Sequence, residues 1–231
     1  MPDRLVSDAV RSHAIAGSHH EWLERLSELV DSLERDWSID VGRSYDGGSE
    51  AFVAEATMAD GSEAVLKVFI PRDDDSASYE ITVLRLADGD GCTRLLRSDL
   101  SRGAILIERL GARLDQSGLP PLQRREILCA AAQRIWRLVP DSPLPTGEDK
   151  GRWLTDFITR TWEQLGRPCS EAAVAYALQC AERRIAAHDD SRAVLVHGDI
   201  HEWNALQAGD GYKLIDPDGL FAEPEYDLGV I

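Results

Sequence analysis

The sequence reads LVHGDIHEWN at residues 195–204 and YKLIDP at residues 212–217. Asp199 follows a short apolar strand, Asn204 comes soon after it, and Asp216 ends a second apolar strand. Asp and Asn are common in turns. However, His197, Asp199, Asn204 and Asp216 together match the pattern H-x-D-x-x-x-x-N…D, and four matches in this order make simple turn residues a poor explanation. Carboxylate and amide oxygens are the ligands that Mg²⁺ prefers, and a nearby carboxylate can orient the proton of a hydroxyl group. The stretch therefore predicts that Asn204 and Asp216 hold magnesium while Asp199 acts on a hydroxyl.

A lysine on an earlier strand is the second candidate. Lys67 lies in the middle of an apolar strand at residues 64–70, and Glu80 lies on the next predicted helix. On an edge strand Lys67 could simply face solvent, whereas a buried ammonium group is costly unless it is paired. A strand lysine followed by a helix glutamate is typical of sites in which the lysine contacts nucleotide phosphates. We therefore predict that Lys67 and Glu80 take part in nucleotide binding.

A small polar loop joins the first two predicted strands and contains Gly47, Gly48 and Ser49. The two glycines would let the backbone approach a phosphate group, and the serine could donate a hydrogen bond. A Gly-Gly pair in a hairpin is most often only a turn, and the loop does not match G-x-G-x-x-G. The chain also lacks G-x-x-x-x-G-K-[ST], which excludes a P-loop enzyme. The loop is predicted to cover the nucleotide.

The order of the predicted elements indicates an α+β fold. After an amphipathic helix come three strands joined by short turns, a helix at 76–86 and two further strands. Residues 120–187 are helical by their period, and strands return only with the polar motif. We predict a helical extension at 1–37, a β-rich N-terminal lobe with an antiparallel sheet at 38–110, and a mostly helical C-terminal lobe at 111–231.

One stretch of the helical region has a marked apolar stripe. The residues of 152–165 that recur at helical spacing are Trp153, Leu154, Phe157, Ile158, Thr161 and Trp162, which predicts a helix there.

The overall charge limits the partners of the protein. The net charge is −16, from 41 acidic and 25 basic residues, which argues against nucleic acid because its binders normally present a basic face. An acidic surface suits a cationic small molecule, although it more often serves only solubility. The sequence shows no signal-peptide pattern and no apolar run near the roughly 20 residues of a membrane span. We expect a cytoplasmic protein that binds neither nucleic acid nor membrane.

Two histidines invite an alternative. His197 and His201, in the pattern His-x-Asp-x-His with Asp216 nearby, could form the zinc or iron site of a metallohydrolase. That interpretation leaves Lys67 and Glu80 unexplained, and the other histidines lie far away in the sequence. We favour a role for His197 as an imidazole that braces the catalytic loop by hydrogen bonds.

Several motifs together resemble the aminoglycoside/hydroxyurea phosphotransferase family, and in particular its streptomycin 6-phosphotransferase branch. The motifs are VHGDIH at 196–201 with Asn204, LIDPDG at 214–219, EPEYDLG at 223–229, AVLK at 64–67 and IERL at 107–110. The resemblance covers most of residues 20–231. It implies a bilobal protein-kinase-like fold that uses ATP and magnesium.

The resemblance also implies a role for each matched residue. At the matched positions Asp199 is the catalytic base, and Asn204 and Asp216 are the metal ligands. The backbone at Glu108 and Leu110 is implied to be the hinge that meets adenine.

The acidic residues after the metal-binding motif form a separate group. Asp218, Glu223, Glu225 and Asp227 follow it closely, so they could line the side where an acceptor binds. A purely solvated run of charges is an equally open alternative.

The resemblance implies an ATP-dependent O-phosphotransferase. Its acceptor would be a hydroxyl of a small molecule, an aminoglycoside such as streptomycin or hydroxyurea, and the result would be antibiotic resistance. Family members usually continue beyond the Tyr-Asp-Leu-Gly segment, so the chain reads as truncated after Ile231. A catalytically impaired nucleotide-binding remnant is the first alternative, and the metallohydrolase is the second.

Overall fold

The computed structural model describes residues 6–48, 50–72, 74–139 and 141–231. The chain divides into two compact units. The N-terminal unit consists of Met1–Ala112 and Leu206–Lys213, and the C-terminal unit consists of Arg113–Ala205 and Leu214–Ile231. The three-part division at residues 37 and 110 stays a prediction.

The N-terminal unit is built on a five-stranded antiparallel sheet with the order β1-β2-β3-β5-β4. Its strands are β1 (Ile39–Ser44), β2 (Ala51–Met58), β3 (Glu63–Phe69), β4 (Leu95–Asp99) and β5 (Ala104–Glu108). Three helices accompany the sheet, namely α1 (Asp8–Ala16), α2 (His20–Trp37) and α3 (Ser76–Ala87).

Helix α2 forms one side of the core of the N-terminal unit. Its buried side chains recur at the spacing of one helix face, and they are Leu26, Val30, Leu33 and Trp37. They share one cluster with sheet residues that include Phe52, Leu66 and Leu106. The cluster anchors β3, the strand that carries Lys67.

The C-terminal unit is mostly helical. Its helices are α4 (Pro121–Ile135), α5 (Gly147–Gln164), α6 (Glu171–Ala187) and α7 (Glu225–Leu228), with a 3₁₀ turn at Leu114–Gln116. Two short strands, β6 (Val194–Val196) and β9 (Leu220–Ala222), pair antiparallel. Strands β7 (Ala205–Ala208) and β8 (Gly211–Leu214) form a hairpin, most of which belongs to the N-terminal unit.

The structure corrects the sequence prediction for the helical stretch 120–187. Helix α4 ends at Ile135, and the next helix begins only at Gly147. The backbone beyond α4 has another partner, since the Arg137 carbonyl accepts a hydrogen bond from the N–H of Leu195. Prolines at 140, 143 and 145 also prevent a continuous helix.

The helix predicted for residues 152–165 is present as α5, and part of its apolar stripe lies at the surface. Gly151 is the buried residue of this helix, whereas Trp153 and Phe157 keep 47% and 43% of their surface exposed. Periodicity correctly placed these aromatic residues on adjoining turns, but the core of the described chain does not cover them. No helix in the described ranges is long and apolar enough to cross a membrane.

Candidate active site

Lys67 and Glu80 form a buried ion pair in the N-terminal unit. The Lys67 Nζ lies 2.7 Å from Glu80 Oε2 and 2.8 Å from Oε1, and the two residues are 8% and 6% exposed. Lys67 pairs with Val53 of β2 on one side and with Ile105 of β5 on the other, so β3 is an internal strand of the sheet. The alternative of a solvated lysine on an edge strand is therefore wrong.

The glycine loop between β1 and β2 lies at the surface. Gly47 and Gly48 are exposed, and a Cβ added to either one would meet no atom within 4 Å. Gly48 has a φ of +92°, a conformation that favours glycine. The reason for a glycine at this position is therefore backbone geometry and not packing. Ser49 lies outside the described residues. The nucleotide-covering role of the loop stays a prediction.

The hinge segment at the end of β5 is held by the β7–β8 hairpin. The carboxylate of Glu108 accepts a hydrogen bond from the N–H of Arg94 at 2.7 Å and also binds Lys213 Nζ. The N–H of Gly111 donates to the Gln207 carbonyl at 2.8 Å. Residues 108–111, Leu110 included, line an open cavity of about 500 Å³ together with residues 207–209 and Lys213. The Glu108 side chain is thus engaged by protein atoms, and the role of this segment as an adenine hinge stays a prediction.

Residues 197–204 of the C-terminal unit form a turn, called the catalytic turn here because Asp199 is the predicted base, which brings Asp199 and Asn204 into contact. The Asn204 Nδ2 donates to both the carbonyl and the Oδ2 of Asp199, each at 3.1 Å. These bonds fix the amide, so the remaining side-chain acceptor of Asn204 is its Oδ1. The N–H of Ile215 donates to the Asn204 carbonyl at 2.9 Å, which places the next residue, Asp216, beside this turn. Asp216 is exposed and has a φ of +56°.

His197 is fully buried and crosses the turn. Its Nε2 lies 3.0 Å from the Ile215 carbonyl, and its Nδ1 lies 3.2 Å from the amide nitrogen of Asp199. Nε2 must therefore carry the proton, and Nδ1 accepts. Burial lowers the pKa of His197 although neighbouring carboxylates, Asp227 first, oppose the effect. The neutral imidazole thus links Ile215, which follows β8, to the backbone of Asp199.

The same contacts weigh against the metallohydrolase alternative. Both ring nitrogens of His197 are engaged by protein atoms, so neither is presented to a metal. His201 Nε2 lies 3.3 Å from Asp199 Oδ2. In the ranges that the structure describes, no three or more His, Cys, Asp or Glu side chains are grouped to hold an ion.

The turn requires a glycine at position 198. Its φ is +92°, and a Cβ there would lie 2.9 Å from the Cβ of Asp218. The N–H of Gly219 also donates to the His197 carbonyl at 3.1 Å. The segment after Asp216 therefore packs directly against the catalytic turn.

Asp227, which the sequence placed in the acidic run after the metal-binding motif, is a buried central support of the turn. This fully buried carboxylate accepts from the N–H of His197 at 3.1 Å, from that of Gly198 at 2.8 Å and from the indole Nε1 of Trp136 at 2.9 Å. Three N–H donors on one carboxylate fix the backbone immediately before Asp199. The available signal was its place in the EPEYDLG motif.

The predicted acceptor-side residues lie in three different environments. Glu223 is 3% exposed and joins α6 to the loop after it, through Arg184 at 3.2 Å and the N–H of Asp189 at 3.0 Å. Burial would raise the pKa of Glu223, but hydrogen bonds from backbone groups and His188 outweigh it and lower the pKa. Glu225 forms an exposed pair with Arg192 at 2.6 Å. Asp218 adjoins the catalytic turn.

A family model described as aminoglycoside/hydroxyurea antibiotic resistance kinase matches residues 37–231. The chain belongs to this family. Membership in a kinase family implies ATP as the phosphoryl donor.

Two curated relatives align with almost the whole chain. The hydroxyurea phosphotransferase of Kitasatospora aureofaciens is 32% identical over 99% of the chain, and the streptomycin 6-kinase of Streptomyces glaucescens is 28% identical over 99%. The chain spans 66% of the length of the first relative and 73% of the second.

Solved structures match the fold of this family member. A macrolide 2'-phosphotransferase from Brachybacterium faecium superposes with a TM-score of 0.59 at 15% identity, covering 89% of this chain and 76% of the other. The α+β, protein-kinase-like fold predicted from the sequence, with its antiparallel sheet and its helical region, is confirmed.

Proposed function

We propose that this protein is an ATP-dependent O-phosphotransferase for a small molecule. The observation that carries the proposal is the catalytic turn of a chain that belongs to a family of resistance kinases. Its Asp199 carboxylate is held by the Asn204 amide, and its backbone is fixed by His197 and Asp227. A carboxylate fixed in this way can orient the hydroxyl of an acceptor for attack on a phosphoryl group.

The oxygen groups beside Asp199 fit magnesium. Asn204 presents its Oδ1 because its Nδ2 is bound to Asp199, and Asp216 supplies an exposed carboxylate directly after Ile215. Both are hard oxygen ligands of the type that Mg²⁺ prefers. When bound, ATP would supply the γ-phosphoryl group and Mg²⁺ would neutralise its charge. Asn204 and Asp216 are therefore proposed to hold the metal.

Lys67 is proposed to bind the nucleotide phosphates. Its ammonium is held by both oxygens of Glu80, so its direction is fixed before any nucleotide arrives. Preorganised charge of this kind needs no rearrangement when the phosphates bind. The backbone at Glu108 and Leu110 is proposed as the adenine contact, and the loop at Gly47 and Gly48 as a cover.

The acceptor is proposed to be streptomycin or hydroxyurea. Relatives with these printed names align over 99% of the chain. Both molecules carry hydroxyl groups that Asp199 could orient. Phosphorylation of either one in the cytoplasm would give resistance to it.

The test is phosphoryl transfer from ATP, with magnesium, to each of these two acceptors. The Asp199→Asn variant keeps the size of the side chain but removes the carboxylate, so transfer is expected to fall by roughly 100-fold or more. Asp210→Asn, in the exposed β7–β8 turn, is the matched control and is expected to keep full activity. Full transfer by Asp199→Asn would refute the assignment. ATP binding without transfer to either acceptor by the unaltered protein would favour a nucleotide-binding role instead.

A further inference from the structure

We propose that Lys150 fills, in the protein without acceptor, a site for the cationic group of the acceptor. The site consists of the Asp218 carboxylate and the Trp153 ring, and it lies next to the catalytic turn. This inference rests on the proposed function and specifies how its acceptor is selected. Lys150 would act as an internal competitor that a guanidinium or ammonium group must displace.

The geometry around Lys150 is that of a bound cation. Its Nζ lies 3.5 Å from Asp218 Oδ2 and 4.5 Å from the centroid of the Trp153 ring. A carboxylate and an aromatic face are the two groups by which proteins recognise organic cations. The Asp218 side chain is 51% exposed and Trp153 is 47% exposed, so an incoming cation can reach both partners.

The contact is weak enough to be exchanged. Ion pairs between partly exposed side chains contribute little to stability because water competes for both charges. The long lysine side chain also loses rotamer freedom when it is held in one place. An acceptor cation could therefore take over the two interactions at small cost to the fold.

The position of the site suits an acceptor whose hydroxyl is oriented by Asp199. Asp218 packs against Gly198, which directly precedes the catalytic carboxylate. Burial and then the charges of Asp218, Asp227 and Asp199 raise the pKa of Tyr226 to about 12, so Asp218 and Asp199 act on the same phenol. A molecule held at Asp218 thus has its hydroxyls within reach of the catalytic turn.

A second aromatic ring stacks on Trp153 of the site. The rings of Trp153 and Phe157 stack with their centroids 4.9 Å apart and their planes 11° apart, and both are nearly half exposed. Aromatic faces of this kind contact ring-shaped ligands without strict directional demands. The stack would contact the remainder of an acceptor whose cation replaces Lys150.

The test compares binding of a cationic acceptor, streptomycin, with that of an uncharged one, hydroxyurea, by titration calorimetry on the full chain. Lys150→Met removes the competitor but keeps an apolar side chain, so it is expected to tighten streptomycin binding roughly threefold or more. Asp218→Asn and Trp153→Leu each remove part of the site and are expected to weaken streptomycin binding about three- to tenfold. None of these changes should alter hydroxyurea binding.

The matched control is Arg152→Met, which removes another cation from α5 whose partner is the exposed Glu148. It is expected to leave both affinities unchanged. Weaker or unchanged streptomycin binding by Lys150→Met, or no streptomycin binding by any variant, would overturn the inference. Failure of the proposed function has a different signature, namely the expected pattern of binding with no phosphoryl transfer.

Discussion

Two single residues, Glu80 and Asp227, hold the candidate phosphate-binding lysine and the candidate catalytic turn in place. In the N-terminal unit the ammonium of Lys67 is bound by both carboxylate oxygens of Glu80 inside the sheet. In the C-terminal unit the three donors on Asp227 hold the turn before Asp199. In each case a buried charge is stabilised by defined partners, so removal of one partner costs more than the interaction contributes.

Lys67→Met tests the buried pair. Glu80 would lose its ammonium partner in a buried place, so the free energy of unfolding is expected to fall by about 3–5 kcal/mol. The double variant Lys67→Met/Glu80→Leu should recover most of this loss, because the buried charge is gone. Urea unfolding measures both, and Arg72→Met, in an exposed pair with Glu50, should change stability by about 0–1 kcal/mol. A double variant no more stable than the single one would contradict the account.

Asp227→Asn tests the support of the catalytic turn. The amide offers one acceptor oxygen and an NH₂ group that cannot accept from the three donors, so stability is expected to fall by at least about 2 kcal/mol. Phosphoryl transfer should fall further than the folded fraction does, since the turn before Asp199 loses its geometry. Glu225→Gln, two residues away in an exposed pair, should change neither quantity. Equal behaviour of the two variants would refute the role of Asp227.

Helix α5 depends on its first turn. Thr146 accepts from the N–H of Asp149 at 3.1 Å, and Asp149 accepts from the N–H of Thr146 at 2.9 Å, which forms a capping box. Hydrogen bonds from the backbone N–H and then the hydroxyl of Thr146 lower the pKa of Asp149 below its ordinary value of 3.8. The folded state therefore favours the ionised carboxylate.

This shift predicts a pH dependence of stability. Because the pKa is lower in the folded state, the contribution of Asp149 is present above pH 3.8 and is lost as the pH falls below it. The difference in unfolding free energy between the unaltered protein and Asp149→Asn should thus be constant above about pH 5 and shrink below about pH 4. Urea unfolding across this range measures it. Ser170→Ala, which removes the uncharged cap of α6, should cost a similar amount at every pH.

The elements also show what the sequence can predict. The order of strands and helices followed from the change in apolar period. The polar motif made Asp199, Asn204 and Asp216 candidates because few chemistries need that spacing, and their roles stay a prediction. The exposure of Trp153 and Phe157 did not follow from the sequence, since a periodic stripe shows that residues share a face but not what covers that face. The part of Asp227 in the site was hidden for a similar reason. Its three donors come from segments that are distant in sequence.

The molecule as a whole carries a large excess of negative charge. With a net charge of −16, repulsion opposes compaction, while most of the ion pairs between exposed side chains contribute little. Screening should weaken the repulsion more than it weakens the pairs. The midpoint of thermal unfolding is therefore expected to rise when NaCl is increased from about 10 to about 150 mM. Choline chloride at equal ionic strength should act alike, and a fall of the midpoint would show that the pairs dominate.

The hairpin of Leu206–Lys213 has a consequence for biosynthesis. It completes the N-terminal unit, and its Lys213 binds Glu108 across 105 residues of chain. At a translation rate of about 5–20 residues per second, the strand β5 waits roughly 5–20 s on the ribosome for this partner. During that interval the whole helical segment is being synthesised. Folding of the N-terminal unit therefore cannot finish in the order in which the chain is made, and the nascent protein must remain soluble with its hinge segment still incomplete.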